Sequence, residues 1–253
     1  MNNMLKINQV YNENCIGENG MCLINDKSVD CIICDLPFGT TKNKWDSIID
    51  LNLLWEQYER IIKDNGCIAL FAQTPFDKIL GASNLKLLKY EWVWEKEQGT
   101  GHLNAKKMPL KIHENILIFY KKLPTYNPQM TQGHTPSAKN GSHKKEQTNY
   151  GKFNHVSTGG STTRYPKSII KFNRVYSHNL IHPTQKPVEL IEYLIRTYTN
   201  ENDLILDNCM GSFTTAVACI NTNRNYIGFE NNDKYFELGQ KRLEELKLNG
   251  LNK

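Results

Sequence analysis

Val29-Asp30-Cys31-Ile32-Ile33-Cys34 followed by Asp35-Leu36-Pro37-Phe38-Gly39-Thr40-Thr41 decides how this chain reads. The first six residues form an apolar run of the kind buried on both faces of a parallel sheet. An acid, a proline and an aromatic then emerge together at the strand's carboxyl end, the edge where open α/β sheets place their ligands. Pro37 stiffens the backbone and withholds a ladder donor, which leaves nearby carbonyls free to face a ligand. A carboxylate, a free carbonyl and a flat ring in one turn can grip a planar group bearing an NH2, such as a nucleobase. An ordinary strand-to-loop turn is the competing reading of this run alone.

Outward from that run the chain alternates strand and helix. Residues 7–14 suit a short strand. Leu51 to Lys63 carries apolar residues at a helical period, with Asn65-Gly66 as its expected stop and Gly66 as a left-handed cap. Cys67 to Ala72 reads as a second core strand, Pro75 as the first turn of another helix, and Leu88–Trp94 and Ile116–Tyr120 as further strands. The order predicts an α/β fold, a doubly wound and mostly parallel sheet with helices on both faces. From 123 to 180 the periodicity is lost in a run rich in Gly, Ser, Thr, Asn, Lys and Tyr, read as an inserted recognition region between halves spanning 1–122 and 181–253. The pattern resumes with His182-Pro183-Thr184-Gln185-Lys186-Pro187 before a helix, a strand Leu204–Leu206 ending at Asp207, a turn Asn208–Thr215 into a helix, and a strand Tyr226–Phe229 ending at Glu230.

At 253 residues the chain has length for one large domain with an inserted lobe. No apolar run reaches membrane-spanning length, and the first residues lack a signal peptide's apolar core. Seven scattered cysteines point to reduced thiols and a cytoplasmic setting. Cys31 and Cys34 have metal-like spacing but point to opposite faces of a strand, so no metal site is expected. The net charge of +5 is unevenly spread: residues 96–174 hold fourteen Lys/Arg against Glu97, Glu114 and Glu146. That excess suggests a polyanion partner. Lys139, Lys144, Lys145, Lys152, Arg164, Lys167, Lys171 and Arg174 suit phosphate contacts, and Tyr150, Phe153, Tyr165 and Phe172 suit base stacking. A solvated or disordered basic loop is the bland alternative.

Asp207 and Glu230 close two successive strands 23 residues apart, the spacing of a nucleotide-binding turn and its ribose acid. The turn has only Gly211 of the usual glycines, and Asp207 would repel a pyrophosphate. An acid there better suits a ligand with an ammonium group at one end and adenosine at the other, which describes S-adenosylmethionine. A plain helix-capping role is the alternative for Asp207.

With these positions in hand, the chain resembles the amino-group DNA methyltransferases that modify adenine N6 or cytosine N4, in the permuted beta-type order. Asp35-Leu36-Pro37-Phe38 is similar to the family's Asp-Pro-Pro-Tyr catalytic motif, and Asp207 to Thr215 to its cofactor loop. The resemblance implies a Rossmann-like methyltransferase fold with catalysis at Asp35, Leu36, Pro37 and Phe38. It implies S-adenosylmethionine held by Asp207, Met210, Gly211, Ser212, Thr214, Glu230, Thr184, Gln185 and Lys186. Double-stranded DNA is the implied partner; a cognate restriction endonuclease and a homodimer are left open. Phe38 stands where Tyr is usual, Phe213 where Gly is usual, and Asn14 near a usual Asp. Adenine N6 is the preferred target, cytosine N4 the alternative. A DNA-binding protein with a degenerate pocket, motivated by Phe213, and a protein or RNA methyltransferase are the competing classes. The latter generally carry Asn where this chain has Asp35.

Overall fold

The computed structural model describes residues 5–40, 43, 46–138, 143–147, 151–155, 159–176 and 180–251. By its internal contacts the chain divides into a larger unit, Met1–Asn127 with Ser168–Lys253, and a smaller one, Pro128–Lys167.

The larger unit is built on β2 (Val29–Asp35). Alternation sends Cys31 and Ile33 into one apolar cluster and Ile32 and Cys34 into another, so the strand is buried on both faces. β2 runs parallel between β9 (Leu204–Asp207) and β3 (Ile62–Ala72). Beyond β9 come β10 (Asn225–Phe229) and β1 (Gln9–Tyr11), both parallel. Beyond β3 lie β5 (Lys111–Phe119), β4 (Leu88–Thr100) and β8 (Ile169–Lys171), giving the order β1-β10-β9-β2-β3-β5-β4-β8. β5 is antiparallel to both its neighbours, the one departure from a parallel sheet. The stretch 123–180 is therefore divided, since its last part returns to the sheet as β8.

Helices α1 (Leu51–Ile61) and α2 (Phe76–Ser83) cover the face bearing Ile32, through residues such as Leu54, Tyr58 and Leu80. Asp50 caps α1 by accepting from Asn52 N at 2.8 Å. Helices α3 (Val188–Tyr198), α4 (Thr214–Asn221) and α5 (Asp233–Leu251) cover the face bearing Ile33. One local expectation fails. α1 ends at Ile61 and Gly66 lies inside β3 rather than capping the helix. A Cβ at Gly66 would stand 2.7 Å from the Ile62 side chain and 2.9 Å from Asp30 O. Glycine is needed there for close approach, not for a left-handed turn.

The strand order reverses between β2 and β9, since the chain moves from β2 outward one way and from β9 outward the other. Open α/β sheets take ligands in the crevice at such a reversal. In the smaller unit, β6 (His143–Gln147) and β7 (Gly151–His155) pair as an antiparallel hairpin. Thr131 and Arg164 exchange backbone hydrogen bonds there at 2.9 and 3.0 Å. Among the described residues no helix is long and apolar enough to cross a membrane.

Candidate active site

The reversal opens into a cavity of about 620 Å³ within the larger unit, lined by Asp35, Phe38, Lys186, Asp207, Gly211 and Glu230 among others. The two acids read from sequence as separate strand ends thus share one cleft, because β2 and β9 are adjacent and parallel.

Asp35 is the last residue of β2 and pairs with Phe71 of β3. The turn after it is pinned from outside: Asp46, itself buried, accepts Gly39 N at 2.9 Å and Thr40 N at 3.0 Å. Phe38 lies over Phe76 with ring centroids 5.5 Å apart. Asp35 Oδ2 meets Lys186 Nζ at 2.5 Å, and Lys186 also lies 3.4 Å from Glu114 Oε2. Glu114 Oε1 accepts from Lys96, whose ammonium lies 4.8 Å from the centre of the Trp94 ring. Four charges of alternating sign therefore run across the sheet from β2 to β4. Asp35 Oδ1 has no hydrogen-bond partner among the described residues.

Burial in this row lifts the Asp35 carboxyl above its ordinary range; Lys186 opposes that lift and Glu114 adds to it. Burial works against the Lys186 charge, yet Asp35 and Glu114 outweigh it and hold the ammonium above its usual range. Glu114, desolvated but flanked by Lys186 and Lys96, sits below its usual range. Of the row, Asp35 is the carboxylate held least firmly in its charged form.

The second loop is laid along β10. Met210 N donates to Phe229 O at 2.8 Å, and Gly211 N donates to Glu230 Oε2 at 2.7 Å. Gly211 has φ +52, and a Cβ there would stand 3.8 Å from the His182 ring. Asp207 fastens its own loop, accepting Thr215 Oγ1 at 2.6 Å and Cys209 N at 3.0 Å. Burial pushes its carboxyl up to about 6. Ser212 and Thr214 share a hydroxyl hydrogen bond of 3.0 Å, and Arg242 of α5 donates to Ser212 O at 2.7 Å. Asn208 accepts from the Tyr58 hydroxyl of α1.

Thr184 and Gln185 sit in a self-bonded turn: Thr184 N donates to His182 Nδ1 at 3.3 Å, and Gln185 Oε1 accepts Ile181 N at 3.0 Å. Burial and the Lys186 charge push His182 down to about 4, so its ring is neutral at pH 7. Lys186, expected among the cofactor residues, points instead at Asp35. Phe213, the residue that raised a degenerate pocket, has its ring fully buried against Phe236 of α5 and away from the cavity lining.

The basic residues are mixed. Lys139 and Tyr150 lie outside the described residues; Lys144, Lys145, Lys152 and Phe153 fall on the hairpin strands. Lys167 and Tyr165 are exposed. Arg164 donates to the carbonyls of Ser161 (2.7 Å), Thr163 (2.8 Å) and Thr135 (2.6 Å), bracing its own loops rather than keeping its fork free. Lys171 is exposed but lies 3.0 Å from Glu95. Arg174 lines the cavity and donates to Gln98 Oε1 at 2.9 Å. Phe172 packs on Tyr193 at 5.7 Å, a core contact in place of the expected base contact.

Sequence reasoning missed Asp46, Lys96 and Glu114 as site residues. The signal for two of them was present. Lys96 continues the inward register of Trp92 and Trp94, and Glu114 that of Ile116 and Ile118. A charge on an inward register needs a partner.

Residues 29–241 match the family model N6_N4_Mtase, described as DNA methylase. The chain is similar to the Type II methyltransferase M1.MboII of Moraxella bovis, 29% identical over 97% of this chain and 100% of that protein. It is also similar to the DNA adenine methyltransferase YhdJ of Escherichia coli (strain K12), 29% identical over 86% of this chain and 77% of that protein. Among solved structures, the M1.HpyAVI-SAM complex superposes with a TM-score of 0.62 at 24% identity, covering 92% of this chain and 98% of that one. The cytosine-N4-specific PvuII DNA methyltransferase does so with a TM-score of 0.66 at 14% identity, covering 94% and 86%.

Proposed function

The chain belongs to the N6_N4_Mtase family of DNA methylases, and from that premise we propose that it transfers a methyl group from S-adenosylmethionine to the N6 amine of an adenine rotated out of double-stranded DNA. Methylation of DNA goes with the family; the choice of adenine is the finer reading. It is supported by the acid at the head of Asp35-Leu36-Pro37-Phe38 and by the likeness to an adenine methyltransferase. The observation that carries the mechanism is the single cleft shared by Asp35, Asp207 and Glu230.

The residues present fit the methyl donor. The cavity volume lies in the range of small-molecule sites. Each Glu230 oxygen accepts one backbone N–H, from Gly211 at 2.7 Å and Asn232 at 2.9 Å, which leaves lone pairs for ribose hydroxyls. Gly211 leaves open the space beside His182 that a side chain would fill. Asp207 serves the cationic amino-acid end with the lone pairs its loop does not use. When bound, S-adenosylmethionine would supply an electrophilic sulfonium methyl for the amine nitrogen, with sulfur as the leaving group.

An aromatic amine is a weak nucleophile because its lone pair is delocalised into the ring. The Asp35 carboxylate and the Leu36 carbonyl accept its two N–H bonds and draw the nitrogen toward tetrahedral geometry. Asp35 then takes the surplus proton. Pro37 fixes the turn, and Phe38 stacks on the extruded base, which enzymes of this chemistry cannot reach inside the duplex. Lys144, Lys145, Lys152, Lys167, Lys171 and Arg174 are assigned to the phosphate backbone. The cytoplasm is the compartment we assign, and the Type II names among its relatives favour a cognate endonuclease.

Transfer of a labelled methyl group to duplex DNA, followed by nucleoside analysis, tests the reading: N6-methyladenine supports it, and N4-methylcytosine moves the target to the alternative base. Calorimetry with S-adenosylmethionine tests the second loop. Glu230→Ala should weaken binding about 10- to 100-fold, the worth of one or two hydrogen bonds to a charged group. An unchanged affinity would remove Glu230 from the site. With its carboxyl near 6, Asp207 is ionised above that pH and neutral below it. Affinity for a cationic donor should therefore fall on acidification, by up to about tenfold per pH unit. Asp207→Asn should flatten that dependence.

A further inference from the structure

We propose that Lys186 is a positioning residue for Asp35, fixing the orientation of its carboxylate and holding it charged, and that it is not a contact to the methyl donor. The inference rests on the reading of Asp35 as acceptor of the target amine.

The geometry carries it. Lys186 stands just before α3, the helix that covers this face of the sheet, and its side chain is buried. From there its ammonium reaches Asp35 Oδ2 at 2.5 Å and Glu114 Oε2 at 3.4 Å. The rings of Phe71 and Phe38 lie 5.2 and 6.0 Å from it. An ammonium enclosed by two carboxylates and two rings has few donors left for a ligand. The same contact fixes the carboxylate: Oδ2 accepts from Lys186, while Oδ1 is buried without a hydrogen-bond partner among the described residues.

The charges around Asp35 then decide its state. Cys34 adjoins it on β2, and Glu114 and Lys96 face it from β5 and β4. Asp207 faces it from the end of β9, and Lys186 from the turn before α3. Two of these are negative, and burial adds to their push toward the neutral acid. The cation at contact distance is what opposes them. A protonated Asp35 would turn a donor toward the amine's own N–H groups and could not take its proton. Lys186 therefore acts on the reaction through Asp35. Glu114 keeps Lys186 charged and at the same time repels Asp35, so its removal should act in the opposite sense.

The test uses the full chain with duplex DNA and S-adenosylmethionine. In Lys186→Met the acid limb of the single-turnover pH–rate profile should move up by about one unit or more, as expected for loss of an opposite charge at contact distance. The rate should recover at alkaline pH. Glu114→Gln should move the limb down or leave it in place. Affinity for S-adenosylmethionine, measured by calorimetry, should stay within about threefold in Lys186→Met, whereas loss of a direct charged contact would cost about tenfold or more. Infrared difference spectra give a readout free of turnover: in Lys186→Met a protonated-carboxyl band should persist to higher pH than in the unmodified protein and vanish when Asp35→Asn is added. An unshifted profile with no such band overturns the proposal, as does a tenfold loss of donor affinity. Absence of methyl transfer by the unmodified protein would instead sink the parent reading, and the infrared band would still judge the charge on Asp35.

Discussion

Asp35→Asn is expected to slow methyl transfer by about 10²–10³, comparable to the loss of one preorganised polar contact in other active sites, while S-adenosylmethionine still binds. The substitution keeps shape and removes charge. Its single carbonyl oxygen will be claimed by the Lys186 ammonium, which now stands 2.5 Å from Oδ2. The amide NH2 then takes the other position, and no second acceptor remains for the target NH2. A donor meets a donor, and nothing remains to take the proton. The fold should tolerate the change, because Lys186 keeps Glu114 at 3.4 Å as counter-ion. Single-turnover transfer and calorimetry read the two halves separately. A rate within tenfold of the unmodified protein would show that another group accepts the amine.

What could be read from sequence was what sits at strand ends. Asp35, Asp207 and Glu230 each follow an apolar run, and a parallel sheet carries all such ends to one rim. Their common cleft followed from topology alone. Glu114 escaped notice because β5 runs the other way, so that its beginning, not its end, reaches that rim, and Lys96 because it sits inside the long β4 rather than at its end. An antiparallel strand among parallel ones has no local mark in the sequence. Asp46 escaped for a different reason: it acts backward on Gly39 and Thr40 through a loop without periodicity. Lys186 was recognised as a site residue, but its ion pair with Asp35 could not be read from sequence, since only the packing of α3 on the sheet shows where its side chain falls. The misplaced stop at Gly66 has the same origin. Glycine marks a backbone constraint, and the sequence does not say whether that constraint is a torsion or a neighbour 2.7 Å away.

Phe213→Ala is expected to destabilise the protein by about 3–5 kcal/mol, the cost of deleting a buried aromatic, with the donor pocket left in place. Phe213→Gly should be less harmful than Phe213→Ala by about 1 kcal/mol, the reverse of the usual order next to a helix. The reason is the backbone. Phe213 caps α4 at φ 60, ψ 26, in the left-handed region where a Cβ is unfavourable and glycine is not. The strain is offset by packing, since the ring is wholly buried and meets Phe236 edge-on at 5.9 Å. It also occupies the space above Gly239 of α5, where a Cβ would come within 2.3 Å of it. Ring and glycine are thus complementary: α5 carries no side chain where the Phe213 ring lies. Gly239→Ala should consequently destabilise by about 1–3 kcal/mol through overpacking and be relieved in the double variant with Phe213→Gly. Denaturant midpoints of the four proteins test the coupling, and calorimetry with S-adenosylmethionine tests the pocket. If Phe213→Gly raised donor affinity more than tenfold, the ring would be obstructing the site after all, and the degenerate-pocket reading would return.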